Sequence, residues 1–166
     1  MNNNTKLKKT LVILAAAFLL ATIWVIADIE FAATMVITNQ NTVANSTNIQ
    51  IPITLENNNT IYGIQFEIYH NTTDLIYKNV LTTNRTTNAT IENKYYQERI
   101  RLALVTDAGI TPGNGTILNL IFDVNETAQN SSVILNATEL LVLDMNIEPV
   151  LTNTIHGNIT IISNNS

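Results

Sequence analysis

The chain has 166 residues and no cysteine, which excludes disulfides and thiolate metal sites and leaves room for one domain plus short extensions. Its formal net charge is −5: Lys6, Lys8 and Lys9 lie near the start, and five Lys/Arg face thirteen Asp/Glu in everything after them. So acidic a segment repels a phosphate backbone, which tells against nucleic-acid binding.

Residues 1–10 form a basic, cytoplasmic n-region. The run from Leu11 to Ala27, "LVILAAAFLLATIWVIA", then carries no charge. As a helix it would span about 25 Å, close to the hydrocarbon thickness of a bilayer. The preceding lysines predict that the N-terminus stays inside and that the rest of the chain is extracytoplasmic. Two readings are open for residues 11–27. One is an uncleaved transmembrane anchor. The other is a signal peptide with Val25-Ile26-Ala27 as its exit, leaving a secreted protein. Trp24, the only tryptophan, lies in this run and is no ligand-binding aromatic.

Beyond residue 30, short apolar alternations recur with Asn, Thr and Gly turns between them, the pattern of an all-β sandwich. The predicted strands cover 33–38, 48–56, 61–69, 75–81, 89–95, 98–106, 115–124, 132–143 and 156–163, a nine-stranded antiparallel sandwich over residues 34–163. In "NIQIPITLE", Ile49, Ile51, Ile53 and Leu55 share a face, while Pro52 on the other parity predicts an edge or a bulge. In "GIQFEIY", Ile64, Phe66 and Ile68 point inward. In "RIRLALV" the inward set is Ile100, Leu102 and Leu104, and in "GTILNLIFDV" it is Leu118, Leu120, Phe122 and Val124. Residues 104–118 read as a long turn-rich link, broken by Gly109, Pro112, Gly113 and Gly115.

Asn-x-Ser/Thr triplets begin at Asn45, Asn58, Asn71, Asn84, Asn88, Asn114, Asn125, Asn130, Asn136 and Asn158, with others at Asn3 and Asn164. Chance at this composition gives roughly four or five such triplets. Compositional drift accounts for the abundance of Asn and Thr but not for the excess of triplets, so several are expected to carry glycans on an exported surface.

Four stretches, in order and at matching separations, carry a resemblance: "NIQIPITLEN", "GIQFEIYHNTTDL", "GNGTILNLIFDV" and "HGNITI". Residues 34–162 resemble a cohesin domain, the β-sandwich receptor that captures dockerin modules in cellulosomes. Similar domains occur in surface proteins of archaea and of non-cellulolytic bacteria. The family's Tyr-Asp-Pro corner here reads His70-Asn71-Thr72, which preserves the turn chemistry because Asn caps a turn as Asp does. The resemblance implies a jelly-roll sandwich that is not an enzyme. It also implies a flat sheet face, including residues 61–69, that receives the dockerin helix. In that register Gly63, Gln65 and Glu67 face the partner, Arg99 and Arg101 share the face, and Lys94 joins at its edge. The family's polar Asn and Asp are replaced here by Gly63 and Gln65, which leaves the partner's identity open. The chain itself would need no cofactor, because the Ca²⁺ of such complexes belongs to the dockerin.

Other chemistry is thin. His70 reads as a rim histidine bonded to backbone, and His156 is too isolated to share a metal. Asp107 reads as a loop-capping acid, since Ca²⁺ wants several clustered carboxylates. Glu67, Glu92, Glu98 and Glu139 supply no motif for a hydrolytic carboxylate pair. Three functions follow: a membrane-anchored cohesin-like receptor docking dockerin-bearing proteins, polysaccharide-degrading enzymes among them; a polysaccharide-binding module, for which Tyr69, Tyr95 and Tyr96 are the available platform; or a glycosylated, adhesin-like coat domain. Glycans at Asn71, Asn88 and Asn114 would block the docking face and favour the last.

Overall fold

A computed structural model describes residues 31–128 and 130–163. The segments 1–10 and 11–27 lie outside the described residues, as do the sequons at Asn3 and Asn164. Every regular element among the described residues is a strand. In order these are β1 (Ala33–Ile37), β2 (Gln40–Val43), β3 (Ile49–Asn57), β4 (Ile61–Tyr69), β5 (Leu75–Thr82), β6 (Thr90–Tyr96), β7 (Arg99–Ile110), β8 (Gly113–Val124), β9 (Ser131–Leu143), β10 (Thr152–Ile155) and β11 (Gly157–Ile162). They form a five-stranded sheet, β10-β1-β3-β8-β5, and a six-stranded sheet, β2-β11-β9-β4-β7-β6.

The sandwich is therefore all-β as expected, but it has eleven strands rather than nine, and its sheets are mixed. β1 pairs with β10 and β2 with β11 in parallel, while the other ladders are antiparallel. The two additional strands, "QNTV" and "TNTI", have no apolar alternation to betray them. Each continues a neighbouring strand after a crossing from one sheet to the other. The chain crosses first at Thr38-Asn39 and again at His156. A Cβ on Gly157 would stand 2.5 Å from Ile37 Cγ2 and 3.1 Å from the Ile37 carbonyl oxygen, so only glycine lets the two crossing chains pass this closely.

The core follows the period-2 patterns. Ile51, Ile53, Leu55, Phe66, Ile68, Ile100, Leu102, Leu118, Leu120 and Phe122 are fully buried, and Ile64, Leu104 and Val124 nearly so. Each such side chain contributes about 1.5–3 kcal/mol by leaving water, which is what ties the two sheets face to face. The edge reading of Pro52 is corrected: β3 is an interior strand between β1 and β8. Pro52 lies just past the end of the β1 ladder, and a register shift follows it at Ile53/Thr54. Its carbonyl still accepts from Thr38 N (3.0 Å), and its missing N–H falls on the side where β1 has already turned away.

The turn-rich link is also corrected. β7 runs unbroken to Ile110 and β8 starts at Gly113. The glycine signal marks a bulge instead: four residues of β7 bulge opposite Tyr62, and Gly109 there has φ 72°. The β5–β6 loop is held by Arg85. Its guanidinium donates to the carbonyls of Leu55 (2.7 Å), Gly115 (3.0 Å) and Thr111 (2.8 Å) and to Asn57 Oδ1 (2.8 Å). Thr86 Oγ1 adds a bond to the Ile117 carbonyl (2.6 Å). This clamp fixes where β6 enters the second sheet.

Candidate functional site

The outer face of the six-stranded sheet brings the sequence-predicted residues together. On β4, the residues alternating with the core set are Gly63, Gln65, Glu67 and Tyr69. Across β7 they lie opposite Val105, Ala103, Arg101 and Arg99 in turn. Across β9 they lie opposite Leu143, Leu141, Thr138 and Asn136. β6 adds Glu92 beside Ala103, Lys94 beside Arg101 and Tyr96 beside Arg99. Lys94 thus shares the face fully. The result is a surface with a charged end, a polar centre at Gln65 and an apolar end.

Two expected partner-facing residues have the right parity but are not open. Glu67 is 2% exposed. Arg99 Nη1 stands 3.3 Å from its Oε2, Arg101 Nε 3.8 Å from its Oε1, and the Tyr69 hydroxyl donates to Oε2 at 3.3 Å. A buried carboxylate requires such company, because an unpaired charge away from water is costly. Glu67 thus fixes the two arginines in place and leaves their outer edges to solvent. The Tyr69 hydroxyl and then the Glu67 charge raise the Arg99 pKa, so this guanidinium stays charged. It also lies 5.0 Å above the Tyr96 ring. Gly63 is buried because Leu143 leans over it, with Leu143 Cδ1 3.2 Å from where a Cβ would be. Gln65 is half-buried, and Lys94 and Arg101 are exposed.

The apolar end was not legible as part of the site. Leu141 and Leu143 come from "ELLVL", where apolar residues fall on both parities, so alternation assigns neither of them a face. A bulge opposite Phe66, with Glu139 at φ 52°, turns Leu141 and Leu143 outward. With Val105, Met145 and Ile147, Leu143 borders a hollow of about 370 Å³ above Gly63. Met145 and Ile147 are exposed on the β9–β10 loop, which is tied by Asp144 Oδ1 accepting from Asn146 N (2.8 Å) and Glu148 N (3.0 Å).

His70 differs from its expected setting. Its backbone N–H donates to the Glu98 carbonyl (3.0 Å), but neither ring nitrogen has a partner among the described residues. The ring is buried between Tyr95 (stacked, 5.9 Å) and Phe122 (edge-on, 5.3 Å), and Tyr77 closes the cluster. Burial lowers the His70 pKa, against a raising pull from the Asn71 backbone and Glu98. Burial also pushes the Tyr77 hydroxyl up to about 12. The corner after it is an Asx turn as the sequence implied, with Asn71 Oδ1 accepting from Thr73 N (2.9 Å).

The three tyrosines do not make one sugar platform. Tyr95 is turned against His70, Tyr69 bonds Glu67, and Tyr96 lies under Arg99. Among the described residues no three His, Cys, Asp or Glu side chains gather as metal ligands. Of the sequons, Asn45, Asn58, Asn71, Asn84, Asn88, Asn114, Asn130 and Asn136 are exposed, while Asn125 and Asn158 are half-buried. Asn114 belongs to β8 in the opposite sheet, so a glycan there would stand off the β4 face. Asn136, beside Tyr69, is on that face next to β4, and Asn158 is on the same side of the sheet farther out, opposite Ile134.

A sandwich whose built surface is an open sheet face, charged at one end and apolar at the other, has the form of a protein-interaction module. The family model for the cohesin domain matches residues 33–161, and the chain belongs to that family, whose members are non-catalytic interaction modules. Comparison with curated proteins gives no match. Among solved structures, the chain is similar to a non-cellulosomal cohesin from the hyperthermophilic archaeon Archaeoglobus fulgidus, at 22% identity and TM-score 0.70, covering 80% of this chain and 93% of that one. It is also similar to the matched chains of two type I cohesin–dockerin complexes from Clostridium thermocellum. One has 13% identity and TM-score 0.73, covering 79% of this chain and 99% of that one. The other has 16% identity and TM-score 0.70, covering 81% and 96%.

Proposed function

We propose that the protein is a cell-surface docking receptor: a cohesin-like module, anchored in the membrane through residues 11–27 with its N-terminus inside, that captures dockerin-bearing secreted proteins, polysaccharide-degrading enzymes among them. The observation that carries the reading is the outer face of β4, β6, β7 and β9, with Gln65 at its centre. Family membership supports a protein partner, and similar cohesins have been solved bound to dockerins. The mechanism is non-covalent. A preformed, bulge-stiffened sheet receives a partner helix, Arg99, Arg101 and Lys94 set charge complementarity, and the hollow above Gly63 takes apolar side chains. Ca²⁺ enters with the dockerin and not with this chain. Glycans on the exposed sequons cover the remaining surface and leave the centre of the face open.

A pull-down from culture supernatant with the full chain tests this. Specific recovery of proteins carrying duplicated Ca²⁺-loop modules, lost on chelation with EDTA, supports the reading. Recovery of none contradicts it. Membrane fractionation and N-terminal sequencing of the mature protein test the anchor, since a chain beginning near residue 28 would refute it.

A further inference from the structure

The cations of this acidic domain are distributed in an informative way. Five Lys/Arg lie beyond residue 30. Arg85 is used up on carbonyl oxygens and Asn57. Lys78, on the other sheet, pairs with Asp123 at 3.1 Å. The other three, Arg99, Arg101 and Lys94, all stand on the β4–β7–β6 face, and the carboxylates they pair with there are Glu67 and Glu92. Glu67 is buried beneath the arginines, so it neutralises from below and offers nothing outward. Glu92 is held sideways by Lys94 at 2.8 Å.

Arg101 is the cation whose geometry is least satisfied. It is tied only through Nε, at 3.8 Å from Glu67, and its side chain is 47% exposed. Its two terminal amines make no hydrogen bond among the described residues. Arg101 borders a hollow of about 200 Å³ lined also by Gln65, Ala103, Lys94 and Glu92, the Glu92 carboxylate being drawn to Lys94. Two cations against the one carboxylate of Glu92 leave the hollow net positive, and a guanidinium with a free edge suits a further carboxylate, which arginine grips with two parallel bonds.

We propose that this hollow is a carboxylate-binding cleft, and that the helix of the docking partner presents an Asp or Glu to Arg101 and Lys94. The inference rests on the docking reading and narrows it: the partner's contact helix is acidic here, with an apolar side chain for the hollow above Gly63. The Arg101 and Val105 positions on β7 are four residues apart, or about 14 Å. The partner therefore carries its acidic and apolar contacts at about that separation.

The test uses the immobilised full chain and two synthetic amphipathic helical peptides. They share a leucine anchor and differ only in carrying Glu or Lys about 14 Å away from it. The Glu peptide is expected to bind about tenfold tighter than the Lys peptide at low salt, a preference that shrinks as salt screens the pair. Arg101→Gln with Lys94→Gln should bring the preference below about twofold. Ala103→Asp, which fills the cleft with the chain's own carboxylate and leaves the Glu67 cluster alone, should do the same. Equal retention of the peptides by the wild type, including retention of neither, overturns the cleft, as does an unchanged preference in Ala103→Asp. The supernatant pull-down fails or succeeds independently. Dockerin capture without a Glu preference refutes the cleft alone, and a Glu preference without dockerin capture refutes the dockerin reading alone.

Discussion

The Glu67 cluster makes a quantitative asymmetry. The Glu67 side chain is 3% exposed, whereas those of Arg99 and Arg101 are 38% and 47% exposed. Replacing Glu67 by Gln removes the charge that is buried and leaves behind two cations that can turn to water. The expected loss is about 1 kcal/mol, the scale of one hydrogen bond and two half-exposed ion pairs. Replacing Arg99 and Arg101 by Met keeps the hydrocarbon lid and strips both countercharges, so the carboxylate stays covered with only the Tyr69 hydroxyl as a partner. An uncompensated buried charge costs about 3–5 kcal/mol. Urea unfolding of the full chain at pH 7, followed by far-UV circular dichroism, reads both. The double Met variant should lose at least twice what Glu67→Gln loses, and adding Glu67→Gln to it should restore most of the stability. If the double variant is no less stable than Glu67→Gln, the carboxylate is not sealed under the arginines, and the cluster does not hold them in place.

Three further outcomes are expected. His70 is buried with its pKa lowered from 6.5, so its contribution is intact above that pH and lost as the unfolded chain takes up the proton on acidification; His70→Phe should flatten stability between pH 7 and 5 and, by removing two unpartnered ring nitrogens, cost little or nothing at pH 7 in thermal melts. Arg85→Ala should cost about 2–3 kcal/mol in urea titrations, because several backbone acceptors lose a charged donor at once; no loss would mean the β5–β6 loop is held elsewhere. If Asn136 carries a glycan, Asn136→Gln should tighten partner binding in protein purified from the native host and leave protein made without glycosylation unchanged, whereas Asn114→Gln on the opposite sheet should do neither.

Much of the sandwich was readable because period-2 burial is written residue by residue. Ile51, Ile53 and Leu55, or Ile100, Leu102 and Leu104, have one face to hide and do so. β2 and β10 were invisible because they are short edge strands, "QNTV" and "TNTI", whose pairing is decided by backbone crossings and not by side chains. The residues of the outer β4 and β7 face were legible by parity, yet parity says nothing of what lies on top. Glu67 is sealed by arginines from the neighbouring strand, and Gly63 by a leucine that a bulge on β9 swung outward. A bulge inverts the face of every residue beyond it. The apolar end built by Leu141 and Leu143 was therefore beyond a reading of alternation alone. His70 shows the same limit: its turn was evident from Asn71, its aromatic enclosure was not.

The central claim is that the partner sits on the β4–β7 face, over Gln65. Isothermal titration with a dockerin module captured by the wild type tests it directly, using Gln65→Arg beside Asn119→Arg, which lies on the outward parity of β8 in the opposite sheet between Pro52 and Leu81. Both variants should keep the wild-type melting profile. Gln65→Arg should weaken binding by about tenfold or more, the scale of a charge and bulk forced into an interface centre, while Asn119→Arg leaves it unchanged. The opposite pattern, or equal affinity for both variants, would contradict the assignment of the face.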